Sequence, residues 1–193
     1  MKTTTIKPKA CKVCRTSYTP TKPMQKVCSL PCALSMAALA KAKRERTQAT
    51  QERKATRVKL DGMKTKGALV AEAQVAFNRF IRARDMGKPC ICCGRPMGEG
   101  VMGGAVDAGH YRSRGSAPHL RFDERNVHAQ AKQCNRYGSG NVVGYRRGLI
   151  ERLGLEVVEA LEADNTPKHY TCDDLRAIKA EYAAKARELE RSN

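Results

Sequence analysis

DAGHYRSRGSAPHLRFDERNVHAQAKQCNRYGSGN, residues 107–141, contains three of the four histidines in the chain, His110, His119 and His128. It also carries Asn126, Asn135 and Cys134, among the arginines Arg112, Arg114, Arg121, Arg125 and Arg136. Just upstream, PCICCG places Cys90 and Cys93 two residues apart as a knuckle. Metal ligands, a candidate base and phosphate-binding cations within 35 residues point to hydrolysis of a phosphodiester. That reaction needs an activated water, charge stabilisation at phosphorus and help for the leaving oxygen; a neutral imidazole serves the first need and a divalent metal the others.

The smallest scaffold supplying both is a β-hairpin packed on a helix. His110 follows the strand-like Ala105-Val106-Asp107-Ala108-Gly109, and Asn126 precedes the alternating Val127-His128-Ala129. Asn135 is expected on the helix. His119, beside Pro118, is expected to be an exposed loop residue. The arginines would ordinarily form a solvated face; around a scissile phosphate they would clamp it through paired hydrogen bonds.

Working outward, residues 11–32 read CKVCRTSYTPTKPMQKVCSLPC. Cys11 with Cys14, and Cys28 with Cys32, form two knuckles able to close a structural four-thiolate zinc site. Ser29 and Pro31 signal a helix start. Residues 33–60 read as a basic, alanine-rich helix without a core-facing stripe, either a solvated arm or a strut along DNA phosphates. Gly62 and Gly67 mark a joint. Leu69, Val70, Ala73, Phe77, Phe80 and Ile81 recur at helical spacing, so 68–85 is an amphipathic helix with both phenylalanines in the core.

Residues 98–104 read as a glycine-rich hairpin turn or loop. Downstream, Leu149, Ile150 and Leu153 belong to a helix that Gly154 interrupts, and Val157, Val158 and Leu161 form a second short apolar face. Thr171 to Asp174 is a capping pattern that opens a last helix. Its Leu175, Ile178, Tyr182 and Leu189 could face the core or a second protomer.

The formal charge is +18, with +7 in residues 1–35, +7 in 36–66, +7 in 67–150 and −3 in 151–193. A basic front and middle suit a nucleic-acid partner. With three Phe, no Trp and a mean hydropathy of −0.57, small metal-stapled modules are expected rather than one large core. No apolar run approaches a membrane span, and no secretory segment follows Met1. A cytoplasmic, nucleoid-associated protein is therefore expected, in which paired cysteines bind zinc rather than form disulfides.

The run DAGHYRS–APHLRF–ERNVH–CN–SGN, preceded by PCICCG, resembles the HNH-type (ββα-metal) endonucleases, and most of all the NinG (Rap) family of lambdoid phage recombination proteins. The resemblance extends over nearly the whole chain. It implies an α+β fold, with an HNH-like core stapled by zinc, an N-terminal four-cysteine finger, a long basic helix and C-terminal helices. The expected divisions are 1–35, 36–67, 68–150 and 151–193. It further implies a phage recombination endonuclease that cuts branched DNA such as Holliday junctions and D-loops. Other phage recombination proteins are implied partners, and symmetric cutting would require a homodimer. In this resemblance His110 is the base, Asn126 fixes the hairpin, and Asn135 with Asp107 holds a catalytic divalent ion, Mg2+. Cys90, Cys93 and Cys134 bind structural Zn2+.

Two departures stand out. The family pattern of two Cys-x-x-Cys pairs would put a cysteine at 131, where this chain has Ala131. Either the fourth ligand is then His128, Cys92 or water, or this zinc is absent. HNH enzymes commonly place a metal ligand directly before the base, and here Gly109 precedes His110. Asp107 and His110 point to opposite faces of a regular strand, so Asp107 reaches the metal only through a bulge at 108–109. A zinc-containing DNA-binding protein without catalysis is the competing reading.

Overall fold

Two short strands, β1 (Lys9–Ala10) and β2 (Ser17–Tyr18), pair antiparallel and present Cys11 and Cys14 on the turn between them. The computed structural model describes residues 7–97, 105–138 and 140–192, so the turn expected at 98–104 lies outside the described residues. Arg15, at φ 63°, turns the chain back, and the Cys11 amide donates to the Thr16 carbonyl at 2.9 Å. The Tyr18 hydroxyl donates to the Gln25 carbonyl at 2.8 Å and closes the loop before the second cysteine pair.

Helix α1 (Leu30–Gly62) begins as the sequence signals: Ser29 accepts from the Cys32 amide, with a proline in the first turn. Cys32 thus sits on the opening turn. The helix runs 33 residues, about 50 Å at 1.5 Å per residue, and buries no side chain. The missing apolar stripe explains this: nothing in the sequence gives the helix a side to hide.

The chain divides into two compact units, Met1–Met63 and Lys64–Asn193. The finger and basic helix therefore form one unit, and the C-terminal helices belong with the central region.

In the second unit Thr65 caps α2 (Lys66–Arg84) by accepting from the Ala68 amide. Leu69, Ala73, Phe77, Phe80 and Ile81 are buried along one face, as their spacing requires. The last helix, α5 (Cys172–Ser192), covers that face. The Phe77 ring meets Tyr182 edge-on at 4.7 Å and Phe122 at 5.7 Å, with Leu175 and Ala186 fully buried beside them. The apolar side of α5 therefore faces the core. The Thr171 hydroxyl accepts from the Asp174 amide, and Asp174 accepts from the Thr171 amide, so the capping pattern forms reciprocally.

Strands β3 (Val106–His110) and β4 (Val127–Ala131) form an antiparallel hairpin in which Val106 faces Ala131 and His110 faces Val127. All five β4 residues are buried. On the side away from β3, its Ala129 amide donates to Asp85, and its Ala129 carbonyl accepts from Ile91. Helices α3 (Val142–Leu153) and α4 (Leu155–Ala163) follow, broken at Gly154, whose φ of +88° an L side chain would resist. Tyr145 on α3 is fully buried; its hydroxyl donates to the Gly109 carbonyl at 2.7 Å and accepts from the His128 amide at 3.0 Å. One side chain therefore bridges both strands beside His110.

Candidate functional site

His110 ends β3 and lines an open cleft of about 510 Å³ together with Asp107, Asn135, Arg136 and Arg114. Its Nε2 lies 3.1 Å from the Arg121 carbonyl, which can only accept. The ring proton is therefore on Nε2, and Nδ1 carries the free lone pair. Burial, aided by the Arg114 and Arg121 cations and opposed by that hydrogen bond, brings its pKa down to about 4. At neutral pH the imidazole is uncharged and able to accept a proton.

The register of β3 on β4 is unbroken, so no bulge forms at 108–109. Asp107 nonetheless borders the same cleft as His110. Asp107 Oδ2 accepts from Asn135 Nδ2 and from Arg136 Nε, each at 3.0 Å. Burial alone would raise the Asp107 pKa; Asn135 and Arg136 outweigh it and hold the carboxyl below its usual range. Asn135 lies on a single π turn (Gln133–Tyr137), where a regular helix was expected. Such turns often accompany functional sites.

Asn126 is buried and satisfied on every side. Its Oδ1 accepts from the Arg112 amide at 2.8 Å, and its Nδ2 donates to the Arg112 and Leu120 carbonyls. One side chain thereby fixes both ends of the loop that carries Arg114 and the Arg121 carbonyl.

The five arginines separate. Arg114 and Arg136 line the cleft. Arg112 is instead consumed by the Leu161 carbonyl at 3.0 Å, the Asp164 carbonyl and Asn165 Oδ1. Arg121 donates to Gln74, and Arg125 is held in a two-pronged pair with Asp123. Arg112, Arg121 and Arg125 thus have partners within the fold, as Arg136 has in Asp107. Two cleft residues escaped the sequence reading, Asn78 and Arg82 on α2. They lie at i and i+4 next to the apolar stripe, a signal that could have placed them side by side.

Two cysteine clusters could hold a metal ion, Cys11, Cys14, Cys28 and Cys32 in one, and Cys90, Cys92, Cys93 and Cys134 in the other. Within each, the ligand atoms lie within 4.8 Å of one another. Sulfur pairs stand at 3.5 and 3.7 Å in the first and 3.5 Å in the second. Thiolates 2.3 Å from a tetrahedral zinc would be about 3.8 Å apart, so both clusters have a size and a donor chemistry suited to zinc.

Of Cys92 and His128, it is Cys92 that gathers with Cys90, Cys93 and Cys134. The Ala131 amide donates to Cys90 Sγ at 3.2 Å, and Gln130 Nε2 donates to Cys92 Sγ at 3.3 Å. His128 is not part of the cluster. Its Nε2 donates to the Arg125 carbonyl, its Nδ1 receives Arg84 at 3.1 Å, and Asp85 lies 3.6 Å away. Burial lowers its pKa against the pull of Asp85. His119, expected to be exposed, is mostly covered and donates to the Asp164 carbonyl.

For a magnesium ion the cleft offers the Asp107 carboxylate and the Asn135 Oδ1. Such a short set suits an ion that keeps several waters and takes further oxygens from a phosphate. Among the described residues, no trio of His, Cys, Asp or Glu gathers in the cleft.

A family model described as the bacteriophage lambda NinG protein matches residues 3–192. The protein ninG of Salmonella phage P22 is 45% identical over 127 residues, which is 66% of this chain and 60% of that relative. The protein ninG of Escherichia phage lambda is 43% identical over 130 residues, 67% of this chain and 61% of the relative. The matched region thus spans about three fifths of the length of these relatives. No solved structure matches the chain.

Proposed function

We propose, from the premise that the chain belongs to the NinG family of bacteriophage proteins, that it is a metal-dependent endonuclease acting on branched DNA recombination intermediates. The observation that carries this reading is His110: neutral, tied through Nε2, and sharing one arginine-lined cleft with Asp107 and Asn135. We read this as a version of the ββα-metal arrangement, with a base on the first strand, an asparagine across the hairpin and a ligand on the following turn.

His110 Nδ1 takes the proton of the attacking water. Arg114, Arg136 and Arg82 hold the phosphate by charge-assisted hydrogen bonds. Asn126 keeps the loop in register, so the Arg121 carbonyl continues to orient the imidazole. Asp107 and the Asn135 amide oxygen would hold a magnesium ion, which stabilises charge on the phosphate and the leaving 3'-oxygen. The long basic helix and absence of a base-reading motif favour recognition of backbone and shape. Two zinc clusters fix the scaffold.

The second reading, DNA binding without cutting, also has an observation in its favour: Asp107 is already neutralised by Arg136. Labelled four-way junctions separate the two, with wild type and His110→Ala compared with and without Mg2+. Wild type cuts only with the ion, and His110→Ala binds equally but cuts 10²–10⁴-fold more slowly, on the order expected for loss of a general base. Equal cutting by both removes His110 from the mechanism, and no cutting by either establishes the binding-only reading.

A further inference from the structure

Helix α1 carries its charges in an order that composition alone does not show. At 100° per residue, Arg46, Arg53 and Arg57 fall within about 20° of one line along the helix, with Lys43 and Lys54 about 60–80° to one side. Thr50 lies near the same line and folds its hydroxyl back onto the Arg46 carbonyl at 2.8 Å, so nothing bulky interrupts the row.

The acids lie elsewhere. Glu45 and Glu52 are about 100–120° around from Arg46. There Glu45 pairs with Lys41 at 3.9 Å and Glu52 accepts from Gln48 at 2.9 Å. Asp61, the third acid, stands one turn beyond Arg57. Every residue from 37 to 60 is exposed. The helix thus presents a continuous cationic edge whose charges stand about 10 and 6 Å apart along the axis.

We propose that this edge, Lys43, Arg46, Arg53, Lys54 and Arg57, is a docking surface for the sugar–phosphate backbone of a DNA duplex. The inference rests on reading the chain as a DNA-acting protein, though not on its cutting DNA. An extended row of cations complements the closely spaced phosphates of a duplex backbone, and guanidinium is the better phosphate partner. An anionic membrane is a poorer match, because a helix lying in a bilayer surface needs an apolar side. Between Lys41 and Lys59 the large apolar residues amount to Val58 alone.

Two triple variants of the full chain, equal in charge, test the proposal. One is Arg46→Gln with Arg53→Gln and Arg57→Gln; the other is Lys41→Gln with Arg44→Gln and Lys59→Gln, on the far side. Glutamine keeps helix propensity close to that of the residues it replaces, and circular dichroism checks that both remain helical. Binding to a blunt 30-base-pair duplex is followed by anisotropy from 50 to 300 mM salt, without added magnesium, so loss of cutting plays no part. The arginine-row variant lowers the salt slope by about 2–3 and weakens binding at every salt, whereas the far-side variant stays within about 0.5 of wild type. Equal loss in both variants means diffuse charge and overturns the oriented edge. Unchanged slopes in both, or a loss seen with phosphatidylserine vesicles and not with duplex, overturns DNA as the occupant.

Discussion

The two four-cysteine clusters occupy opposite settings. In residues 7–63 the buried side chains are few, namely Cys11, Pro20 and Val27, and α1 adds none. Around Cys90, Cys92, Cys93 and Cys134, by contrast, Ile91, Tyr145, Leu149 and Val158 form a packed cluster, next to a larger core between α2 and α5. A metal held in the finger would take the place of a core; one held in the second unit would reinforce one. The same ligand chemistry would therefore carry very different shares of the folding free energy.

The largest expected effect tests that contrast directly. Cys11→Ser should abolish fixed structure in residues 7–28, visible as collapsed amide dispersion and rapid proteolysis there. Cys92→Ser should leave the α2–α5 core resistant to protease. Native mass spectrometry should count two zinc ions in wild type and one in each variant. Two zinc ions in Cys92→Ser would show that the second site draws its fourth ligand from elsewhere.

A smaller effect sharpens what holds the second unit apart from metal. Asp85 is fully buried, accepts the Ala129 amide, and is bordered by Arg84, Lys88, Arg152 and His128. Burial works against its charge, but His128 and Arg84 prevail and hold it far below the usual carboxylate range. Asp85→Asn leaves those cations unbalanced and should cost roughly 3–5 kcal/mol. The urea midpoint of the second unit should fall accordingly, while the finger is untouched. An unchanged midpoint would show that the network is solvated.

The smallest effect is in pH. Unfolded histidine takes up its proton near 6.5, whereas His110 resists to about 4 in the fold. Between those values the unfolded chain binds the extra proton, so the stabilisation is complete above about 6.5 and declines as pH falls. The slope is at most about 1.4 kcal/mol per pH unit for this histidine. His110→Gln should remove that slope, as measured by urea titrations at pH 7, 6 and 5. An unaltered slope would mean that His110 titrates normally.

What the sequence displayed and what it concealed follows from distance along the chain. The finger was legible because its ligands come in local pairs, and α2 because Leu69 to Ile81 repeats with the helical period. Cys92 was ambiguous since three near-consecutive thiols permit two knuckle registers, and the choice depends on β4 packing against them. Arg112 looked like a phosphate clamp until Asn165 and the end of α4 arrived from 53 or fewer residues away. Arg82 and Asn78 acquire a role through where β3 lies beside α2, a long-range event that leaves no local pattern. That Asp107 shares a cleft with His110 without a bulge is equally a property of the assembled hairpin.

Gly109 explains why the residue before His110 is bare. A Cβ there would come within 2.1 Å of Gln130 Oε1, and Gln130 is itself anchored to Cys92 Sγ and the Gly140 carbonyl. Positions 109 and 130 are consequently epistatic. A carboxylate could enter before the imidazole only after the glutamine had shrunk, and shrinking it would loosen the neighbouring thiolate. The order of the two changes is thereby fixed, the one at 130 before the one at 109, which keeps this chain on its own version of the hairpin.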